Sequence, residues 1–173
     1  MGKLIIVSGE NDSGKSLFAE NIVAKCSGRR YYIATMIPKT EENREKIKKH
    51  QKQRENLNFT TLEVPYNLVE CKIDKDAAVL IEDVSNLLAN NIFEKDRGAD
   101  EVFCDILNLA QKCSLMVAVT ISGFDSLGYD GETAMYIDSL NRINEKLKSE
   151  ACVCVTMTDG KPVYEKGESY DIY

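Results

Sequence analysis

Short apolar runs alternate with longer segments in which apolar residues return every three or four positions, the signature of strands alternating with helices. Lys3 to Ser8 is a β-branched run that stops at Gly9 and reads as a buried strand. Ser13 to Cys26 is helical, ending near Ser27-Gly28. Tyr31 to Thr35 is a second strand. Thr40 to Arg54 is a helix capped by Thr40, with Glu41 and Glu42 at its positive end and its basic residues later. Phe59 to Val64 is a strand closed by Pro65, and Ala77 to Ile81 is wholly apolar, as a central parallel strand should be. Helices over Val84 to Phe93 and Ala99 to Lys112 precede a strand at Leu115 to Ile121. Ser122 to Gly131 is a loop with three glycines, and Glu132 to Glu150 is a long amphipathic helix. Cys152 to Met157 and Pro162 to Glu165 flank Asp159-Gly160, a hairpin turn. The pattern predicts an α/β fold: a doubly wound, mostly parallel sheet with a C-terminal antiparallel hairpin, in one domain over residues 1–173. The tail from Gly167 has no assignment.

The segment Gly9-Glu10-Asn11-Asp12-Ser13-Gly14-Lys15-Ser16 is a complete G-x-x-x-x-G-K-[ST] phosphate-binding loop, and it lies where one must lie, after a strand and before a helix. The glycines allow successive backbone N–H groups to converge on an anion, and the helix adds its positive end. Lys15 is placed to reach the terminal phosphates of a nucleoside triphosphate, and Ser16 to ligate Mg2+. Glu82 and Asp83 follow the apolar strand, where a carboxylate supports the metal in such proteins. Either acid fits, and their side chains point to opposite faces if the strand continues. For one of them to reach Ser16, the first strand and Ala77 to Ile81 are expected to be parallel neighbours.

Composition narrows the reading. With 43% hydrophobic and 29% charged residues, the chain is ordinary for a globular protein. The net charge of -6 argues against a surface that coats nucleic acid. No apolar run reaches the length of a membrane span, and the N-terminus shows no signal-peptide pattern. The six cysteines have neither zinc-knuckle nor C-x-x-C spacing. They are expected to be reduced, buried thiols of a cytoplasmic protein, with Cys152 and Cys154 on one strand face.

His50 is the only histidine, and Ile47, His50 and Arg54 share one face of their helix. His50 and Arg54 can therefore meet one phosphate. The run Lys46, Lys48, Lys49 and Lys52 reads equally as an anion-steering surface or a solvated helix face.

Several segments resemble the bifunctional adenosylcobinamide kinase/adenosylcobinamide-phosphate guanylyltransferase family of cobalamin biosynthesis. They are the loop Gly9 to Ser16 followed by Ala19-Glu20, then Tyr32-Ile33-Ala34-Thr35, and Ile47, His50 and Arg54. Val79 to Glu82 with Asn90, and Arg142, Asn144 and Leu147, complete the series. The resemblance spans nearly the whole chain and implies a P-loop enzyme that carries out two reactions. In the first, an alcohol of adenosylcobinamide takes the γ-phosphoryl group of ATP or GTP. In the second, His50 attacks the α-phosphorus of GTP, and the bound GMP passes to the cobinamide phosphate. It also implies a corrinoid substrate and a homo-oligomer, a trimer. Two departures stand out: Asp12 replaces a frequent arginine, and Ile121 to Gly128 replaces the family's E-V-G-x-G-x-V-P segment. Two alternatives stay open: a small-molecule P-loop kinase that makes no use of His50, and a nucleotide-binding regulatory module.

Overall fold

The structure, a computed structural model, describes residues 2–172. Seven strands form one sheet in the order β3-β2-β4-β5-β1-β6-β7. They are β1 (Lys3–Gly9), β2 (Arg30–Ala34), β3 (Phe59–Glu63), β4 (Ala78–Glu82), β5 (Leu115–Ile121), β6 (Val153–Thr158) and β7 (Lys161–Lys166). All pair in parallel except β6 with β7. That hairpin turns at Asp159 and Gly160, both at positive φ (50° and 74°), as a tight two-residue turn between twisted strands requires.

The helices are α1 (Lys15–Ala24), α2 (Glu41–Gln53), α3 (Val84–Lys95), α4 (Ala99–Ala110) and α5 (Gly131–Glu150). Central strands such as β1 and β4 are buried on both faces, so their sequences are continuously apolar rather than alternating. On one face Ile5, Val7, Leu80 and Val117 pack with Ala19, Ile22 and Val23 of α1. On the other, Leu4, Ile6, Val79, Ile81 and Met116 pack with apolar residues of α3, α4 and α5. The tail joins the first of these layers: after a short turn over Ser169–Asp171, Ile172 is buried with the α1 side. Among the described residues no helix is long and apolar enough to cross a membrane.

Three sequence expectations need correction. First, β1 and β4 are not neighbours, because β5 lies between them and pairs with both. Apolar patterning marks central strands but does not order them, and the α3–α4 crossover lets β5 insert. Second, the cysteines are not uniformly buried: Cys113 and Cys154 are, Cys26 and Cys71 are partly so, and Cys104 and Cys152 are exposed. Third, β6 begins only at Val153, so Cys152 lies just outside the strand and is exposed, while Cys154 within it is buried.

Candidate active site

The phosphate-binding loop is built as its sequence demands. Gly9 ends β1 at φ 154°, and a Cβ there would lie 2.5 Å from Ser13 Oγ and 2.9 Å from the Met157 carbonyl, so no side chain fits. Asp12 takes a left-handed conformation at φ 57° and remains exposed. Gly14, at φ 88°, precedes α1 without any side-chain cap. The first N–H groups of α1 thus have no side-chain capping acceptor, which suits the helix start to an anion. Lys15 is buried, and its Nζ donates to the Glu10 carbonyl at 2.9 Å, which holds the ammonium over the loop. Ser13 Oγ is buried without a hydrogen-bond partner.

The two acids left open by the sequence have separate positions, although their shared peptide is cis. Ser16 Oγ donates to Glu82 Oε1 at 2.7 Å, while Glu82 Oε2 is buried and unpartnered. Burial, reinforced by the neighbouring Asp83 charge, pushes the Glu82 carboxyl up to about 8. Asp83 instead caps α3, with Oδ1 accepting from Asn86 N at 2.7 Å and Ser85 Oγ at 2.6 Å. Thr35 fixes the turn between them: its hydroxyl donates to the Asp83 carbonyl and accepts from Asp83 N. Asn90 donates to the Thr35 carbonyl at 2.8 Å and to the Pro65 carbonyl at 3.0 Å, tying the ends of β2 and β3 to α3. A hydroxyl beside a buried carboxylate with one unsatisfied oxygen suits a divalent cation, whose charge would return that carboxyl to its ionised form. Among the described residues no cluster of three or more His, Cys, Asp or Glu forms a separate metal cage. A cation here would thus depend on Ser16, Glu82 and the phosphates of a substrate.

Helix α2 forms the opposite wall. Thr40 caps it through its hydroxyl, which accepts from Asn43 N at 3.1 Å. His50 is half-buried, and its Nδ1 is out of contact with solvent and unpartnered. Burial lowers its pKa; the positive charges of Arg54, Lys49 and Lys15 lower it further, and Asp83 opposes them. That downward shift favours the unprotonated imidazole, the form that can act as a nucleophile. Arg54 is buried with its guanidinium 3.7 Å from the Tyr32 ring centroid, and one arm donates to Thr61 Oγ1 at 3.3 Å. Lys46 and Lys49 border the cleft, whereas Lys48 and Lys52 lie outside its lining and are exposed. Lys46 is also paired with Glu42 at 2.6 Å.

One cleft of about 760 Å³ joins these parts. Asn11 to Ser16, His50, Arg54, Glu82 and Asp83 all line it, with Tyr32, Gln53, Ser85 and Tyr136. Gly9 and Glu10 do not: they shape the loop from beneath, and Glu10 faces Gly123. The segment that departs from the family pattern leaves β5 beside the cleft, where Ile121 is a lining residue. Asn144 of α5 holds its start, donating to the Ile121 carbonyl at 2.9 Å and accepting from Thr120 Oγ1 at 2.7 Å. Asn141 donates to the Phe124 carbonyl at 3.1 Å, beyond which Leu127 and Tyr129 are exposed. Sequence reasoning missed three residues that hold the elements around the site: Thr35, at the Glu82–Asp83 turn, Gln53, bonded to Glu20, and Tyr136, whose hydroxyl donates to the Ser85 carbonyl at 3.0 Å. Their only signal was Thr35's place in the Tyr32-to-Thr35 motif.

Comparison with known proteins agrees with this architecture. Residues 5–164 match the family described as cobinamide kinase / cobinamide phosphate guanyltransferase. A search of curated proteins finds no match. A solved structure from a structural study of a Pyrococcus horikoshii OT3 protein superposes with a TM-score of 0.57 at 13% identity. The superposition covers 99% of this chain and 89% of that one, a likeness of fold alone.

Proposed function

The chain belongs to the cobinamide kinase / cobinamide phosphate guanyltransferase family, and from that premise we propose that it phosphorylates a cobinamide and then transfers GMP to the product through His50. The observation that carries the proposal is the shared cleft: the only histidine of the chain faces the same space as the phosphate loop. Nucleophile and triphosphate can therefore meet without a second binding site.

In the kinase step the substrate hydroxyl oxygen bonds to the γ-phosphorus of ATP or GTP, the bond from that phosphorus to the β–γ bridging oxygen breaks, and the hydroxyl proton is released. Positioning and charge neutralisation do most of the work in such transfers. The α1 amides and Lys15 hold the outer phosphates. Ser16 and Glu82 would hold Mg2+, with Asp83 next to them, and that ion would supply charge neutralisation at the phosphate oxygens.

In the second step the neutral His50 imidazole bonds to the α-phosphorus of GTP and expels pyrophosphate. A phosphate oxygen of the cobinamide phosphate then attacks the same phosphorus and releases the imidazole. Covalent catalysis divides one difficult displacement into two. His50 suits the task because its surroundings favour the unprotonated ring. Arg54 supports the ring's face of α2 and adds positive charge along the cleft wall.

The test is intact-protein mass spectrometry after incubation with GTP and magnesium. The expected result is a GMP adduct that is acid-labile, base-stable and absent from His50→Ala. A wild-type chain that binds GTP and stays unmodified would reduce the reading to a P-loop kinase of another substrate. The exchanged segment Ile121 to Gly128 favours that second reading.

A further inference from the structure

We propose that Glu20 is a positioning residue whose hydrogen bond to Gln53 fixes the face of α2 that carries His50. For its catalytic consequence the inference rests on the function proposed above.

Glu20 is fully buried on the inward side of α1, one helical turn beyond Ser16. Its Oε2 accepts from Gln53 Nε2 at 2.6 Å, while its Oε1 is buried without a partner. Burial raises its pKa, and the Gln53 hydrogen bond and the Arg54 charge pull the other way. A buried carboxylate with one neutral donor and one empty oxygen is a poor stabilising device, because desolvation costs more than a single hydrogen bond restores. Its place in the structure makes better sense as a connection between two helices.

Helix α2 needs such a connection. It buries none of its residues, so apolar packing does not set its orientation. At its N-terminal end Asn43 and Arg44 donate to the carbonyls of Ile37 and Pro38. At its C-terminal end Arg54 stacks on Tyr32 and Gln53 reaches Glu20. Gln53 follows His50 by three residues and so lies on the same face, one turn away. The bond to Glu20 thus pins the surface that presents the imidazole, and pins it to the helix that grows out of the phosphate loop. An error of about 1 Å in such a placement costs on the order of a hundredfold in rate.

Two variants test this. Gln53→Met removes the donor at a half-exposed site and leaves Glu20 in place. The exchange Glu20→Gln with Gln53→Glu rebuilds the bond with donor and acceptor reversed. Because the chain has a single histidine, carbethoxylation by diethyl pyrocarbonate at pH 8 reads its accessibility with no assumption about function. Gln53→Met should raise the carbethoxylation rate by about threefold or more and slow GMP-adduct formation by about tenfold or more. Affinity for a non-hydrolysable GTP analogue, measured by calorimetry, should stay within about twofold. The exchange should return both rates toward wild type. Unchanged carbethoxylation in Gln53→Met, no recovery in the exchange, or a parallel fall in analogue affinity would each overturn the positioning role. A faster carbethoxylation in Gln53→Met, with no adduct even in the wild type, would support the placement of His50 by Glu20 and remove only the GMP-transfer reading.

Discussion

Replacing Glu82 with glutamine should make the nucleotide-free protein more stable in alkali. The Glu82 carboxyl has an ordinary pKa of 4.5 in the unfolded chain and is pushed to about 8 in the fold. Between these values the folded state keeps a proton that the unfolded state has lost, so stability falls as pH rises and the loss is complete above about pH 8. At about 1.4 kcal/mol for each pH unit of that gap, the ceiling is about 5 kcal/mol. Relaxation and water entry reduce it, so about 2–5 kcal/mol is expected, or roughly 5–15 °C in Tm for a chain of this size. Glutamine keeps the shape and an oxygen for the Ser16 hydroxyl but carries no charge to strand. Thermal unfolding followed by circular dichroism from pH 5 to pH 9, in metal-free buffer, reads the difference. The two proteins should nearly coincide at pH 5 and separate steadily up to pH 8, with Glu82→Gln the more stable. Magnesium with a nucleotide should recover the alkaline stability of the wild type and do less for the variant. A separation that does not change with pH, or a wild type more stable than Glu82→Gln at pH 9 without metal, would refute the argument.

Other outcomes follow from the same geometry. Lys15→Ala should lose most nucleotide-dependent turnover, and wild-type activity in it would show that the loop is not the phosphate site. With saturating magnesium, GMP-adduct formation should lose rate in acid with a midpoint below 6.5, because burial and the charges of Arg54, Lys49 and Lys15 depress the His50 pKa. A midpoint at or above 6.5 contradicts that environment. Asn144→Ala strands the buried Thr120 hydroxyl and the Ile121 carbonyl, so it should cost about 2–3 kcal/mol in denaturant unfolding. A loss under about 0.5 kcal/mol would mean that other groups or water take over both partners.

What the sequence revealed depended on how local the signal was. The bounds of α2 were legible because Thr40 caps it through a hydroxyl three residues from the amide it accepts, and the loop was legible because its glycines have conformational work that no other residue can do. The roles of Glu82 and Asp83 were not, since they depend on where β4 stops and α3 begins, a boundary that two consecutive acids do not mark. Glu20 sits between Ala19 and Ile22 on the buried side of an apolar helix. The sequence marks Glu20 only as part of the Ala19-Glu20 pair after the loop, because its partner Gln53 is 33 residues away and comes within reach only through the fold. Strand order was the largest miss, because the partner of β1 is chosen by a crossover and not by any residue of β1.

That strand order has a consequence for how such an enzyme can change over evolutionary time. Because β5 runs between β1 and β4, its outgoing segment emerges between the phosphate loop and the Glu82 strand end, at the mouth of the cleft. It touches the phosphate loop only at its start, where Ser122 N donates to the Gly9 carbonyl at 3.2 Å and Glu10 lies against Gly123, and Asn141 then holds the Phe124 carbonyl. Sequence change in residues 124–130 would therefore alter the mouth of the cleft while leaving Lys15, Ser16 and Glu82 in place. The replaced stretch from Ile121 to Gly128 marks the place where inheritance and innovation meet in this chain.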